Sequence, residues 1–145
     1  MNPSNFNFAE DVAASFGKQA VMKLIGAQLL LVEPGIVEIT VPYRLDLTQQ
    51  NGFMHAGVLT TIADSACGYA AYTLMPSGAN VLSVEFKVNL LRPAQGREFL
   101  ARAEVIKAGK TLTVVGADVF AMQDQSDRIL VARMQGTMMC LLGET

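Results

Sequence analysis

Apolar residues recur at roughly helical spacing early in the chain, at Phe8, Val12, Phe16, Val21, Leu24 and Ile25. This spacing predicts one amphipathic helix over 8–26, with Ser4 or Asn5 as its cap. The period then changes. After a first β-rich run and a Pro34-Gly35 turn, Val37, Ile39 and Val41 alternate with Ile36, Glu38 and Thr40, so a strand pair is expected. Residues 57–74 lack proline, are rich in alanine and carry apolar side chains on both flanks rather than along one stripe. They predict a helix of about five turns, surrounded by protein. Four strand-like runs follow at 80–92, 97–107, 111–122 and 128–141, separated by turn-forming residues at 93–96, 107–110 and 123–127. In the first run Leu82, Val84, Phe86, Val88 and Leu90 alternate with Ser83, Glu85, Lys87 and Asn89, the pattern of a strand with one buried face. That alternation puts Ser83 on the polar side with Glu85.

The order is therefore helix, hairpin, buried helix and a four-stranded meander. Consecutive strands without intervening helices exclude a doubly wound parallel sheet. A long antiparallel sheet can instead curl around the central helix, leaving its other face and its edges for another subunit. The class is α+β, and 145 residues without a linker or repeat indicate one domain over 1–145.

Composition narrows the chemistry. Hydrophobic residues make up 51% and charged residues 17% of the chain, enough apolar surface for a core. A net charge of −2 supplies no basic field for a polyanion, so nucleic acid is not an expected partner. Cys67 and Cys140 are far apart and in apolar surroundings, which reads as buried thiols in a reducing compartment. The amino-terminal residues lack the pattern of a signal peptide and no apolar run is long enough for a membrane span, so the expected address is the cytoplasm, away from the membrane. One histidine and two remote cysteines do not make a metal site, and no cofactor is called for. There is no Gly-rich phosphate loop and no G-x-S-x-G elbow.

One stretch does not fit a purely structural reading. In "QQNGFMHAGVLTTIADSACGYAAY", residues 49–72, His55 is the only histidine of the chain, and Asp64 is the only carboxylate between Asp46 and Glu85. An unpaired acid inside an apolar helix costs several kcal/mol, of the order of ~2–7 kcal/mol for a polar group without a partner. It is either a structural acid bonded to Ser65, Thr61 or backbone amides, or a working group.

The sequence His55-Ala56-Gly57 followed by "VLTTIADSACGYAA", then "VLSVEFKVNLLRPA" and "KAGKTL", resembles the hotdog-fold acyl-CoA thioesterases of the PaaI-like (phenylacetic-acid-pathway thioesterase) group. The motifs cover residues 47–112, and the flanking elements have the family's order and length. One departure is Ala56, where the family usually has the first glycine of a pair; alanine fits there if φ is negative. The resemblance implies a hotdog fold, with a curved antiparallel sheet of about six strands around a long central helix, and hydrolysis of an acyl-CoA thioester by a homodimer, in some cases a dimer of dimers.

Gly57 stands where the helix begins, so its N–H has no intrahelical partner and sits at the positive end of the helix dipole, suited to a developing oxyanion. Asp64 lies seven residues on, about 10 Å along the axis at ~1.5 Å per residue and on nearly the same face. One subunit cannot set both against one carbonyl. The acid facing the Gly57 amide is thus expected from a second copy, acting as general base for water or as direct nucleophile. By resemblance, Gln49 helps to hold the thioester or the water, with Gln50 and Asn51 as neighbours able to substitute. His55 resembles the residue that orients the loop and the carbonyl-binding amide, and Ser83 a strand serine that contacts water or acyl group. Arg92, Lys107 and Lys110 are candidate contacts for the CoA phosphates, and Phe53, Met54, Tyr72 and Met75 for the acyl group. A hotdog-fold dehydratase or hydratase of acyl thioesters, and a non-catalytic acyl-CoA-binding protein, are the competing readings.

Overall fold

The computed structural model describes residues 1–143. Helix α1 (Phe8–Lys18) and helix α2 (Ala20–Ile25) precede strands β1 (Gln28–Glu33) and β2 (Ile36–Pro42). A short 3-10 turn at Leu45–Leu47 leads to helix α3 (Ala56–Tyr72), followed by β3 (Asn80–Leu90), β4 (Glu98–Ala108), β5 (Leu112–Met122) and β6 (Arg128–Leu141). The six strands form one antiparallel sheet in the order β1-β2-β4-β5-β6-β3. The sheet wraps α3, which packs against β2 through β6.

Small side chains let the sheet close on the helix. Ala63, Ala66, Cys67 and Ala70 of α3 are fully buried, as is Ile62, against Val37, Ile39 and Val41 of β2 and Phe99, Ala101 and Ala103 of β4. Burying a side chain such as Ile62 contributes about 1.5–3 kcal/mol. Gly35, at φ +78°, turns β1 into β2 in the left-handed conformation that glycine takes without strain, and its N–H donates to Thr73 Oγ1 at 2.7 Å, tying the hairpin to the end of α3.

Four expectations are corrected. The single helix over 8–26 is broken at Gln19, whose ψ of 96° is extended. The break is fixed from outside, because Gln19 Oε1 accepts from Ser65 Oγ at 2.7 Å while its Nε2 donates to Tyr69 Oη at 3.0 Å. The N-cap is Asn7, without a side-chain cap bond, rather than Ser4 or Asn5; Asn5 instead accepts from the Asn7 N–H and donates to Asp11.

The four last strands are not a simple meander. β4, β5 and β6 are neighbours in sequence order, but β3 pairs with β6 at the far edge. The chain between β3 and β4 crosses the end of the sheet, where Leu91 N–H donates to Val131 and Met54 N–H to Ala94. Pro93 cannot donate to a ladder. Finally, the regular alternation of β3 is interrupted by a bulge between Ser83 and Glu85. The bulge inserts Val84, so Val81 and Ser83 before it share the core-facing side with Phe86, Val88 and Leu90 after it. Even so the strand is an edge, and Leu82, Val84, Phe86 and Leu90 stay exposed.

Candidate active site

The loop 48–55 builds the tip of α3 from backbone hydrogen bonds. Gln49 N–H donates to Phe53 O, His55 N–H to Leu47 O, and Gly52 takes φ +84°. The Gln49 side chain is used inside this loop, its Oε1 accepting from the N–H groups of Asn51 and Phe53. Gln50 and Asn51 are exposed on the same loop.

His55 is the N-cap of α3. Its Nδ1 accepts from Gly57 N–H at 2.8 Å, which satisfies one of the amides that a helix start leaves open. A Cβ on residue 57 would lie 2.9 Å from Nδ1, so glycine is what allows the ring to close on the helix. The Ala56 N–H takes no protein partner among the described residues. Ala56 has negative φ, so the alanine in place of the family's glycine is unstrained. Ala56 and Gln49 line a cavity of about 480 Å³ with Phe53, Met54, Leu90 and Arg92. The side chain of Arg92 is clipped to β6 by a 2.7 Å bond to Leu130 O.

Asp64 is two turns further along α3. It is half-buried, lines a separate cavity of about 250 Å³, and accepts from Ser83 Oγ at 2.6 Å. No ion pair reaches it among the described residues. The bulge at Val84 is what turns Ser83 inward, correcting its expected place beside Glu85. Cys67, one turn past Asp64, is sealed in the core, and burial, with the Asp64 charge adding to it, pushes its thiol up to about 12. Cys140 is only half-buried.

Within one chain these residues form two groups. Gln49, His55, Ala56, Gly57 and Arg92 gather at the tip, and Asp64 and Ser83 meet at mid-helix beside the β3 edge. Lys107 and Lys110 are exposed at the β4–β5 turn. Because Val105 N–H donates to Gly35 O, and Gly35 to Thr73, that turn lies towards the opposite end of α3, about 25 Å from the tip for 17 residues at ~1.5 Å each. Phe53 and Met54 line the tip cavity as expected of acyl contacts, whereas Tyr72 and Met75 lie beyond it at the carboxyl end of α3. The Ser65, Gln19, Tyr69 and Ser15 hydrogen-bond chain beside Asp64 had no sequence signal, since each of its bonds joins residues 46 to 54 apart.

A curved antiparallel sheet of six strands wrapped around one long helix is the hotdog architecture. The Thioesterase superfamily profile matches residues 51–127, and the chain belongs to that family. The chain is 50% identical to a thioesterase family protein of Silicibacter pomeroyi, whose crystal structure aligns with a TM-score of 0.91 over 94% of this chain and 99% of that one. A conserved protein of Pseudomonas aeruginosa aligns at 30% identity and a TM-score of 0.76, covering 85% and 94% of the two chains. The E. coli PaaI protein from the phenylacetic acid degradation operon has the same fold, with a TM-score of 0.84 at 21% identity over 98% of each chain. No helix among the described residues is long and apolar enough to cross a membrane.

Proposed function

We propose that the protein hydrolyses an acyl-CoA thioester in a homodimer whose two sites are each built from both copies. The observation that carries this reading is Asp64: a carboxylate held by one hydrogen bond, from Ser83, without a cation, next to an unpaired apolar edge strand. An exposed strand of 11 residues presenting Leu82, Val84, Phe86 and Leu90 is a template for another strand. β3 runs antiparallel to α3, with Ser83 beside Asp64 and Leu90 beside the tip cavity. Pairing β3 with β3 of a second copy about a two-fold axis near residues 86–87 sets Ser83 level with Leu90 of that copy. Asp64 of one chain then faces the α3 tip of the other, resolving the separation of about 10 Å along one helix.

In that site the α3 tip holds the thioester carbonyl. The Ala56 N–H is the open donor, and Gly57 N–H joins it when His55 turns aside. Asp64 either removes a proton from water as the hydroxyl adds to the carbonyl carbon, or adds its own oxygen and is freed by water from the resulting anhydride. In both courses the tetrahedral oxyanion collapses, the C–S bond breaks, and CoA leaves as thiolate and takes up a proton. A fixed amide donor supplies about 2.7–4 kcal/mol of the required stabilisation.

Thiol release from a panel of aryl- and alkyl-CoA esters tests the reading. Asp64→Asn is expected to lose at least about 10²-fold in turnover while remaining folded and dimeric. Full turnover in that variant would remove Asp64 from the mechanism. Hydration of an enoyl thioester without thiol release would place the protein with the dehydratases instead.

A further inference from the structure

Gly68 stands four residues past Asp64, about 6 Å further along α3 at ~1.5 Å per residue and on nearly the same face. It is buried, yet a Cβ on residue 68 would meet no atom within 4 Å beyond its own stretch of helix backbone. Glycine is disfavoured inside a helix, and close packing does not call for it here. What the missing side chain leaves is the cavity of about 250 Å³ that Asp64 and Ser83 also line.

Around that space the polar side chains bond in one direction. Ser65 Oγ donates to Gln19 Oε1 at 2.7 Å, Gln19 Nε2 donates to Tyr69 Oη at 3.0 Å, and Tyr69 and Ser15 share one hydrogen across 3.1 Å. All four residues line the cavity. Each bond uses one hydrogen, so two are left over: the second N–H of Gln19, and the hydroxyl hydrogen of whichever of Tyr69 and Ser15 accepts. Neither has another side-chain partner among the described residues. An oxygen seated in the cavity supplies the acceptor they lack. Charge tells which part of the substrate belongs there. No lysine or arginine lines this cavity, whereas Arg92 lines the one at the helix tip. The phosphates of CoA find no counter-charge beside Asp64, so the cavity suits the acyl group and the tip cavity is left to the CoA side.

We propose that Gly68 and Gln19 select the acyl group of the substrate. Gly68 sets how far the group reaches past Asp64, and Gln19, with the hydroxyl beside it, favours a group that ends in an oxygen. Val81 and Leu82 supply apolar wall for the length in between. A hydrocarbon end filling the same space would leave the two hydrogens buried without an acceptor, which is how a polar site turns away an analogue lacking its oxygen. This selection rests on the acyl-CoA hydrolysis proposed above, with the thioester against Asp64.

Thiol release by the full chain from straight-chain acyl-CoA esters of increasing length, each ending in a methyl or in a hydroxyl group, tests the selection. At the length that reaches Gln19 the wild type is expected to favour the hydroxyl-ended ester by about tenfold or more in kcat/KM. Gly68→Leu fills the cavity and replaces a poor helix former by a good one. It is expected to lower the ratio of kcat/KM for long over short esters by about tenfold or more. Gln19→Leu is expected to remove most of the preference for the hydroxyl. Both ratios are taken within one variant, so a smaller folded fraction, which lowers every ester alike, does not move them. A wild type indifferent to the hydroxyl at every length, a Gly68→Leu with the wild-type length profile, or a Gln19→Leu that keeps the full hydroxyl preference would each overturn this inference alone. Thiol release from none of the esters would overturn the proposed function with it.

Discussion

At Gly57 an added methyl group would stand 2.9 Å from His55 Nδ1, so Gly57→Ala pushes the imidazole off the helix tip. The stability change is small because two effects oppose: losing a cap costs about 0.5–2 kcal/mol, and replacing glycine by alanine in a helix returns up to about 1 kcal/mol. The informative readout is the His55 ring itself. Nitrogen NMR is expected to show Nδ1 losing its hydrogen bond in Gly57→Ala, and an unchanged Nδ1 resonance would contradict the cap. Cys67 offers a second test. A thiol raised to about 12 by burial holds almost no thiolate at neutral pH, so the folded protein is expected to leave Cys67 unlabelled by iodoacetamide while Cys140 reacts. Labelling of Cys67 at the same rate as Cys140 would show that the core around Asp64 opens readily. Ser83→Ala removes the one hydrogen bond that orients Asp64, and kcat is expected to fall about tenfold, near ~1.4 kcal/mol, with folding intact.

Among the elements, the break between α1 and α2 shows local propensity yielding to tertiary bonds. Nothing in the apolar spacing at residues 8–26 marks Gln19, because its partners Ser65 and Tyr69 are on α3. Gln19→Ala is expected to cost about 1–3 kcal/mol through the partners it leaves unpaired, read as a lower denaturation midpoint, with hydrogen exchange rising in α1. Unaltered exchange there would mean that Val12, Phe16 and the Ser15–Tyr69 hydrogen bond hold α1 without Gln19. The edge strand carries the second prediction at this scale. Phe86→Asp places a charge on the apolar strand that the proposed dimer pairs, so association and turnover are expected to fall together, measured by light scattering and thiol release on the same sample. A monomer with full turnover would separate the edge from the chemistry.

For the whole molecule, much of the architecture was readable before the structure: the hairpin at Pro34-Gly35, the wrapped helix α3, and β4 through β6 as consecutive antiparallel strands. The small residues on both flanks of α3 said that protein surrounds it, because a helix with one wet side would show one apolar stripe. The acid at 64 stood out for the same reason. The partner of β3 was not readable. Alternation tells which face of a strand is buried and is silent on which strand lies beside it, so β3 beside β6 and β3 beside β4 look alike in the sequence. The bulge was equally hidden, since one extra residue reverses the phase and moves Ser83 from the solvent side to Asp64.

The sequence by itself determined the period of each segment, the left-handed turn at Gly35, and the isolation of Asp64, because these depend on a residue and its near neighbours in the chain. Only the tertiary structure decided which strand became the edge, where Gln19 broke its helix, and that Ser83 meets Asp64. Those outcomes are set by contacts between segments tens of residues apart, where hydrogen bonds and packing across the fold outweigh any local preference.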